Sequence, residues 1–136
     1  MFDKVKNDIL GKDYDLSIAF VSEKKSRELN KKWRYKDKAT NVLSFSLRKD
    51  TGELVLCNAV IKKETKKFDK TFPQLVGFLV IHGMLHLKGM RHSSTMERAE
   101  KKYCKKYGKK YFSRNRRGLR NDESRSGRVR KRRKKS

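Results

Sequence analysis

The sequence contains no long apolar run, and this absence argues against a membrane-spanning helix. No stretch approaches the roughly 18 consecutive apolar residues that a helix needs to cross a bilayer. Residues 1–10 also lack the apolar segment of a secretory signal. We therefore expect a cytoplasmic protein without a membrane-spanning segment.

Cysteine is scarce. Cys57 and Cys104 lie far apart and form no C-x-x-C pair, so the sequence does not indicate a disulfide framework. We expect both side chains to be reduced thiols. Cys104 could in principle bind a metal, but it has no partner at ligand spacing, which favours a simple thiol.

Acidic residues are few compared with basic ones. The 136 residues include 39 Lys and Arg but only 15 Asp and Glu, which gives a formal net charge of +24. Such an excess is typical of proteins that bind a polyanion, and the candidates are RNA, DNA and an anionic membrane surface.

The positive charge is concentrated towards the C-terminus. Residues 113–136 contain 12 Lys and Arg, two acidic residues and almost no apolar side chains. Because such a segment cannot bury a core, we predict one domain at 1–112 followed by a disordered basic tail at 113–136. A solubilising role is the simpler alternative. The run at 128–135 exceeds what solubility requires, however, and favours nucleic acid as the partner.

Hydrophobic patterning predicts three strands and three long helices. The strand-like runs are 15–21, 41–47 and 53–61. The helix-like runs are 23–33 after a Ser22 cap, a segment that begins at Thr71 with Pro73 in its first turn, and 95–107 after a Ser93 or Ser94 cap. The turn residues at 49–52 make the second and third strands a hairpin. The helix from Thr71 is apolar almost all round, so we expect it to be central and buried.

All three histidines fall within residues 82–92, in the spacing H-x3-H-x5-H. On an α-helix, His82 and His86 lie one turn apart on the same face. Gly89 then ends the helix, and the turn lets His92 return as a third nitrogen ligand of a zinc ion that keeps one coordination position open. An open position favours catalysis. The simpler alternative, unrelated histidines, is typical of a bare H-x3-H pair but is less favoured with the third His and the glycine.

Gly83 limits the reactions that a metal site here could catalyse. It stands where H-E-x-x-H metallopeptidases have the glutamate that activates water, so we disfavour a peptidase. A metal that acts on water or on a phosphoryl oxygen remains possible. A glycine inside a helix costs about 1 kcal/mol relative to alanine, and we therefore expect another backbone or a bulky substrate close to Gly83.

Two separated segments carry a family resemblance. Residues 33–45 read WRYKDKATNVLSF and residues 82–92 read HGMLHLKGMRH. Together they resemble the YbeY family, bacterial zinc-dependent endoribonucleases that act in rRNA maturation. The resemblance covers roughly 15–108. It implies an α+β domain in which a small mixed sheet of about four strands packs with helices, and zinc bound by the three histidines.

The resemblance also implies a function. The expected activity is cleavage of single-stranded RNA in the 3′-end processing of small-subunit rRNA and in ribosome quality control, with the small ribosomal subunit as a partner. Arg34, His82 and His86 are the expected catalytic residues. A guanidinium can hold two phosphate oxygens and offset charge in the transition state. An exposed cation on the helix dipole is the alternative for Arg34, and the residues alone leave both open.

Three positions depart from the family pattern. Arg91 stands where the family usually has the Asp before the third histidine, so a carboxylate that could orient a metal ligand is missing there. We therefore expect a weaker or rearranged metal site. Cys57 and Asn58 stand where the family usually has a Gly and an Asp, in the strand pattern that corresponds to residues 56–61. These departures keep a second function open, that of a non-catalytic RNA-binding ribosome assembly factor with a structural metal.

Overall fold

The computed structural model describes residues 2–108. The predicted basic tail at 113–136 lies outside the described residues. Within residues 2–108, no helix has both the length and the apolar character needed to cross a bilayer.

Five helices and three strands make up the described chain. In order they are α1 (Asp3–Ile9), β1 (Asp15–Phe20), α2 (Glu23–Arg34), β2 (Val42–Arg48), β3 (Thr51–Leu56), α3 (Asn58–Phe68), α4 (Phe72–Leu87) and α5 (Ser94–Tyr107). The predicted α+β class is confirmed. Patterning does not predict α1 or α3.

The three strands form one mixed sheet with β3 at its centre. The order is β1-β3-β2, with β1 parallel and β2 antiparallel to β3. The predicted hairpin is confirmed, with its turn at Lys49 and Asp50. The described residues thus contribute three strands rather than the expected four or so. Within residues 2–108, β2 is an edge strand, and no other strand of this range covers its outer side.

The predicted strand at 53–61 is wrong in its second half. β3 ends at Leu56 and α3 begins at Asn58, where the Ile61 N–H already donates to the Cys57 carbonyl. A short apolar run fits either a buried strand or a buried helix turn, and packing decides between them. Here Ile61 is fully buried in the core on the inner face of α3.

α4 is the central helix, as predicted. It begins with a capping box in which the Thr71 hydroxyl accepts from the Gln74 N–H and the Gln74 side chain accepts from the Thr71 N–H. The helix packs against β2, β3, α1, α3 and α5. His82 and His86 are therefore carried by the element that the rest of the domain surrounds.

Gly83 lets α4 approach the sheet closely. A Cβ atom at this position would lie 2.5 Å from Cδ2 of Leu54, a side chain of β3 with no exposed surface. The expectation of a neighbouring backbone or substrate is therefore wrong, because the close neighbour is a core side chain. The glycine serves the packing of α4 on β3.

Candidate metal centre

The three histidines meet at the C-terminal end of α4. Gly89 adopts φ 106°, and its N–H donates to the His86 carbonyl, so the chain turns back as the sequence predicts. One ring nitrogen from each histidine lies within 4.8 Å of the other two. The ring centroids of His86 are 4.6 Å from those of His82 and of His92. Three imidazoles at this separation can hold one metal ion.

Hydrogen bonds decide which ring nitrogens of the two helical histidines face the centre. His82 Nδ1 bonds to a carboxylate oxygen of Glu100, and His86 Nδ1 donates to the Met90 carbonyl at 3.0 Å. Because a carbonyl and a carboxylate accept hydrogen bonds, the proton of each neutral ring belongs on Nδ1. The two Nε2 atoms, 3.1 Å apart, then present lone pairs to each other. A cation beside them relieves that repulsion, so this donor set fits a metal ion.

Glu100 supplies a carboxylate that position 91 lacks. It lies on α5, 18 residues beyond His82, and its side chain is only 11% exposed. A buried carboxylate is costly unless it is paired, and here its partner is a candidate ligand. Carboxylates that orient metal-binding histidines in this way are common. Position 91 lacks a carboxylate, as the sequence shows, and Arg91 is exposed, but α5 brings another carboxylate to the site; a weaker metal affinity stays a prediction.

The surroundings of His86 favour its neutral form. Burial is the main cause that lowers the pKa of His86 below its usual value of 6.5, and the neighbouring His82 lowers it further. Neutral imidazole is the form that binds metals. Phe78, one turn earlier on α4, stacks on the His82 ring with 6.1 Å between centroids. Both helical histidines are thus held in place by packing and by hydrogen bonds.

Neither cysteine belongs to this centre. Both are free thiols, as predicted, with Cys57 buried where β3 meets α3 and Cys104 on α5. Burial raises the pKa of the Cys104 thiol to about 11, so it stays protonated at neutral pH and is a poor ligand. Within residues 2–108, the group able to hold a metal consists of the three histidines alone.

The three histidines line a cleft of about 1100 Å³. Residues of α2, β2, α4 and α5, among others, form its walls. Arg34, the last residue of α2, lies on its wall and is exposed. In the described part of the chain its guanidinium has no hydrogen-bond or ion-pair partner. The structure therefore brings Arg34 to the same cleft as the histidines and leaves its charge available.

The loop after α2 fixes the direction of that helix end. Tyr35 ends α2 in the left-handed conformation, with φ 58°. The buried Ser26 hydroxyl donates to the Thr40 carbonyl and accepts from the Thr40 N–H, at 2.8 and 2.9 Å. Buried Asn30 donates to the Lys38 carbonyl at 2.8 Å. These bonds hold the loop against α2 and so fix where β2 begins relative to that helix.

Comparisons with known proteins cover almost the whole described chain. The sequence model of a family described as Endoribonuclease YbeY matches residues 2–113. A protein of that name from Staphylococcus carnosus is 32% identical in an alignment of length 107 that covers 70% of each chain. Its namesake from Lactobacillus helveticus is 36% identical in an alignment of length 111 that covers 67% of this chain and 64% of the relative. The solution structure of TM1509 from Thermotoga maritima aligns with a TM-score of 0.60 at 32% identity, over 79% of this chain and 77% of the other.

Proposed function

The chain belongs to the YbeY endoribonuclease family, and on that premise we propose that it is a metal-dependent endoribonuclease of ribosomal RNA maturation. The resemblance read from the two sequence motifs is confirmed. One observation carries the proposal. Three histidines with converging nitrogens lie in a cleft whose wall holds an arginine that has no partner among the described residues.

His82, His86 and His92 would hold the metal, and we propose zinc because three imidazoles suit a borderline-soft ion. When bound, the ion supplies a Lewis acid that stabilises negative charge on oxygen. Glu100 and the Met90 carbonyl keep the Nδ1 protons of His82 and His86 in place, so that both Nε2 atoms stay directed at the centre.

Arg34 would bind the phosphate of the scissile bond. Its guanidinium can donate two parallel hydrogen bonds to phosphate oxygens and offset charge that develops in the transition state. Within residues 2–108, no hydrogen bond or ion pair of this guanidinium has to break before it binds phosphate. The peptidase alternative lacks support, since Gly83 packs on Leu54 and leaves no room for a side chain.

The charge supports a polyanionic substrate, and membership of the family supports RNA. A net charge of +24 favours a polyanion, and from the family we propose single-stranded regions of small-subunit rRNA near its 3′ end, cleaved in the cytoplasm on or near the small ribosomal subunit. The basic segment 113–136 contains no histidine or cysteine. We propose that it adds affinity for RNA without taking part in the chemistry.

The non-catalytic assembly factor is the less favoured alternative. It drew support from the departures at Cys57, Asn58 and Arg91, and Glu100 offsets the last of these by providing a carboxylate to His82. A site with oriented ligands, beside an arginine that has no partner within residues 2–108, is suited to catalysis rather than to folding alone.

A cleavage assay tests the proposal. Full-length protein loaded with zinc should cleave a labelled single-stranded RNA, and a chelator should abolish the cleavage. His86→Ala should lose both metal and activity. Arg34→Glu should keep zinc and fold but lose at least about 100-fold in rate, because it replaces a stabilising charge by a repelling one.

Lys4→Glu is the matched control for the charge reversal, since Lys4 is exposed on α1 and does not line the cleft. It should cleave at nearly the parental rate. A folded, zinc-loaded parent that cleaves no RNA would overturn the nuclease and favour the assembly factor. Cleavage that survives the chelator would overturn the metal requirement.

A further inference from the structure

Strongly exposed large apolar side chains are confined to one region of the described chain. Among residues 2–108 they are Trp33, Tyr35 and Leu47, with exposed fractions of 57%, 90% and 61%. Trp33 lies one residue before Arg34 on α2, and Leu47 lies on β2. Trp33 and Leu47 line the same cleft as the three histidines. An indole ring left in water on the wall of this cleft suggests a ligand that covers it.

Trp33 is paired with a second aromatic ring of the cleft. Its ring and that of Phe45 are arranged edge to face, with centroids 6.2 Å apart and planes at 71°. Phe45 belongs to β2, where it pairs with Glu53 of β3, so the sheet fixes its position. Two rings arranged edge to face cover less of each other than two stacked rings do, and Trp33 is 57% exposed, so ring surface remains open to a flat group.

Cations share the cleft wall with the two rings. Lys32 Nζ lies 5.2 Å from the centre of the Trp33 ring, and Lys25 and Arg34 line the same cleft as both rings. None of these three cations forms an ion pair within the described range. Proteins that bind single-stranded nucleic acid combine cations for phosphates with aromatic rings on which unpaired bases stack.

We propose that Trp33 and Phe45 form a stacking site for one unpaired base of the RNA strand that enters the cleft. The inference rests on the proposed function, because it takes the strand to be RNA. A protein partner fits the surface less well, since the wall that carries the rings also carries lysine and arginine side chains. The site also selects for single strands, because a base inside a duplex is already stacked and cannot reach the ring.

The chain contains a single tryptophan, which makes the test direct. Full-length protein is titrated with an oligouridine of about 12 nucleotides, within the usual footprint of such sites, while a chelator keeps the strand intact. An abasic oligomer with the same number of phosphates is the second probe. Oligouridine should quench the Trp33 fluorescence, and the abasic oligomer should bind with little quenching.

The same probes, labelled and followed by anisotropy, measure the contribution of the ring. Trp33→Leu should bind oligouridine about 5- to 100-fold more weakly, in the range found when a stacking residue is removed, and should bind the abasic oligomer as the parent does. Tyr35→Leu is the matched control, since it makes the same type of exchange at an exposed position outside the cleft lining. It should bind both probes normally.

Equal affinity of Trp33→Leu and the parent for oligouridine would overturn the stacking site, as would equal quenching by both probes. Equal affinity is also the result expected if the Trp33 ring binds a protein partner instead.

Cleavage of RNA by the zinc-loaded parent shows whether the stacking site or the proposed function has failed. A parent that shows base-dependent quenching but no cleavage contradicts the nuclease alone. A parent that cleaves, with an unchanged KM in Trp33→Leu, contradicts the stacking site alone.

Discussion

Replacing Glu100 by glutamine is expected to weaken zinc binding without unfolding the protein. The side chain is 11% exposed and its carboxylate bonds to Nδ1 of His82. Glutamine keeps the length and one accepting oxygen but removes the negative charge. A hydrogen bond to a charged group contributes about 1.5–3 kcal/mol and one between neutral groups about 0.5–1.5 kcal/mol. The loss is therefore about 1–1.5 kcal/mol, which corresponds to roughly a 5- to 15-fold weaker affinity.

Glu100→Ala removes the acceptor as well and frees the His82 ring to rotate. Its loss should approach the upper end of the roughly 10- to 100-fold range that is typical when a residue behind a metal ligand is removed. Zinc affinity is measured on the full-length protein by competition with a chromophoric chelator. Thermal unfolding of the metal-free variants shows whether the fold has changed.

Glu97→Gln is the matched control, because Glu97 is an exposed carboxylate one turn earlier on α5 and lines the same cleft. It should bind zinc as the parent does. If Glu100→Gln binds zinc with parental affinity, the orienting role of Glu100 is wrong. A purely structural role would instead lower the unfolding temperature of the metal-free protein and leave the affinity of the folded form unchanged.

Three further predictions concern pH, packing and the tail. Zinc should be retained at neutral pH and released as the pH falls below about 6.5, because protonated imidazole cannot ligate; equilibrium dialysis at descending pH measures this, and full retention near pH 4 would contradict it. In the metal-free protein the pKa of His86 is lowered by folding, so as the pH falls below about 6.5 this histidine is protonated in the unfolded chain before it is protonated in the folded one. The free energy of unfolding of the metal-free protein should therefore fall with the pH over that range. Gly83→Ala should lower the free energy of unfolding by up to about 2 kcal/mol in urea titrations, since a clash with Leu54 costs about 1–3 kcal/mol and only roughly 1 kcal/mol is gained in helix propensity. Leu54→Val should relieve the clash, so the double variant should lose less free energy of unfolding than the sum of the losses in the two single variants. A loss equal to that sum would refute the clash. Deleting 113–136 should leave zinc content unchanged and flatten the salt dependence of RNA binding, by about 0.7 in slope for each phosphate that the tail neutralises in the full-length protein; an identical slope for both proteins would remove the tail from RNA binding.

Local signals predicted several elements correctly. The cap at Thr71, the hairpin turn and the end of α4 at Gly89 depend on backbone geometry within a few residues, and such geometry is written in short stretches of sequence. The burial of α4 was also predictable, because a helix that is apolar all round has no face to expose. Those signals place His82 and His86 on one helix face and return His92 towards them.

The apolar run that ends at Ile61 shows where such signals stop. Val60 and Ile61 are β-branched and continue the pattern of β3, yet both belong to α3. A strand and a helix would each bury Ile61, so local preference could not choose between them. The choice depends on α3 packing against α4, which is a contact between distant parts of the chain.

By itself, the sequence determined the spacing of the histidines, the turn that gathers them and the positive charge that favours a polyanion. These properties depend on residues close together in the chain or on composition alone. Only the tertiary structure decided that Glu100 reaches His82 and that Trp33 meets Phe45 in the cleft beside Arg34. Those contacts exist because α5 packs on α4 and the loop after α2 is tied back to that helix. Packing between distant elements selects one carboxylate from several similar ones, and no local pattern marks which one it will be.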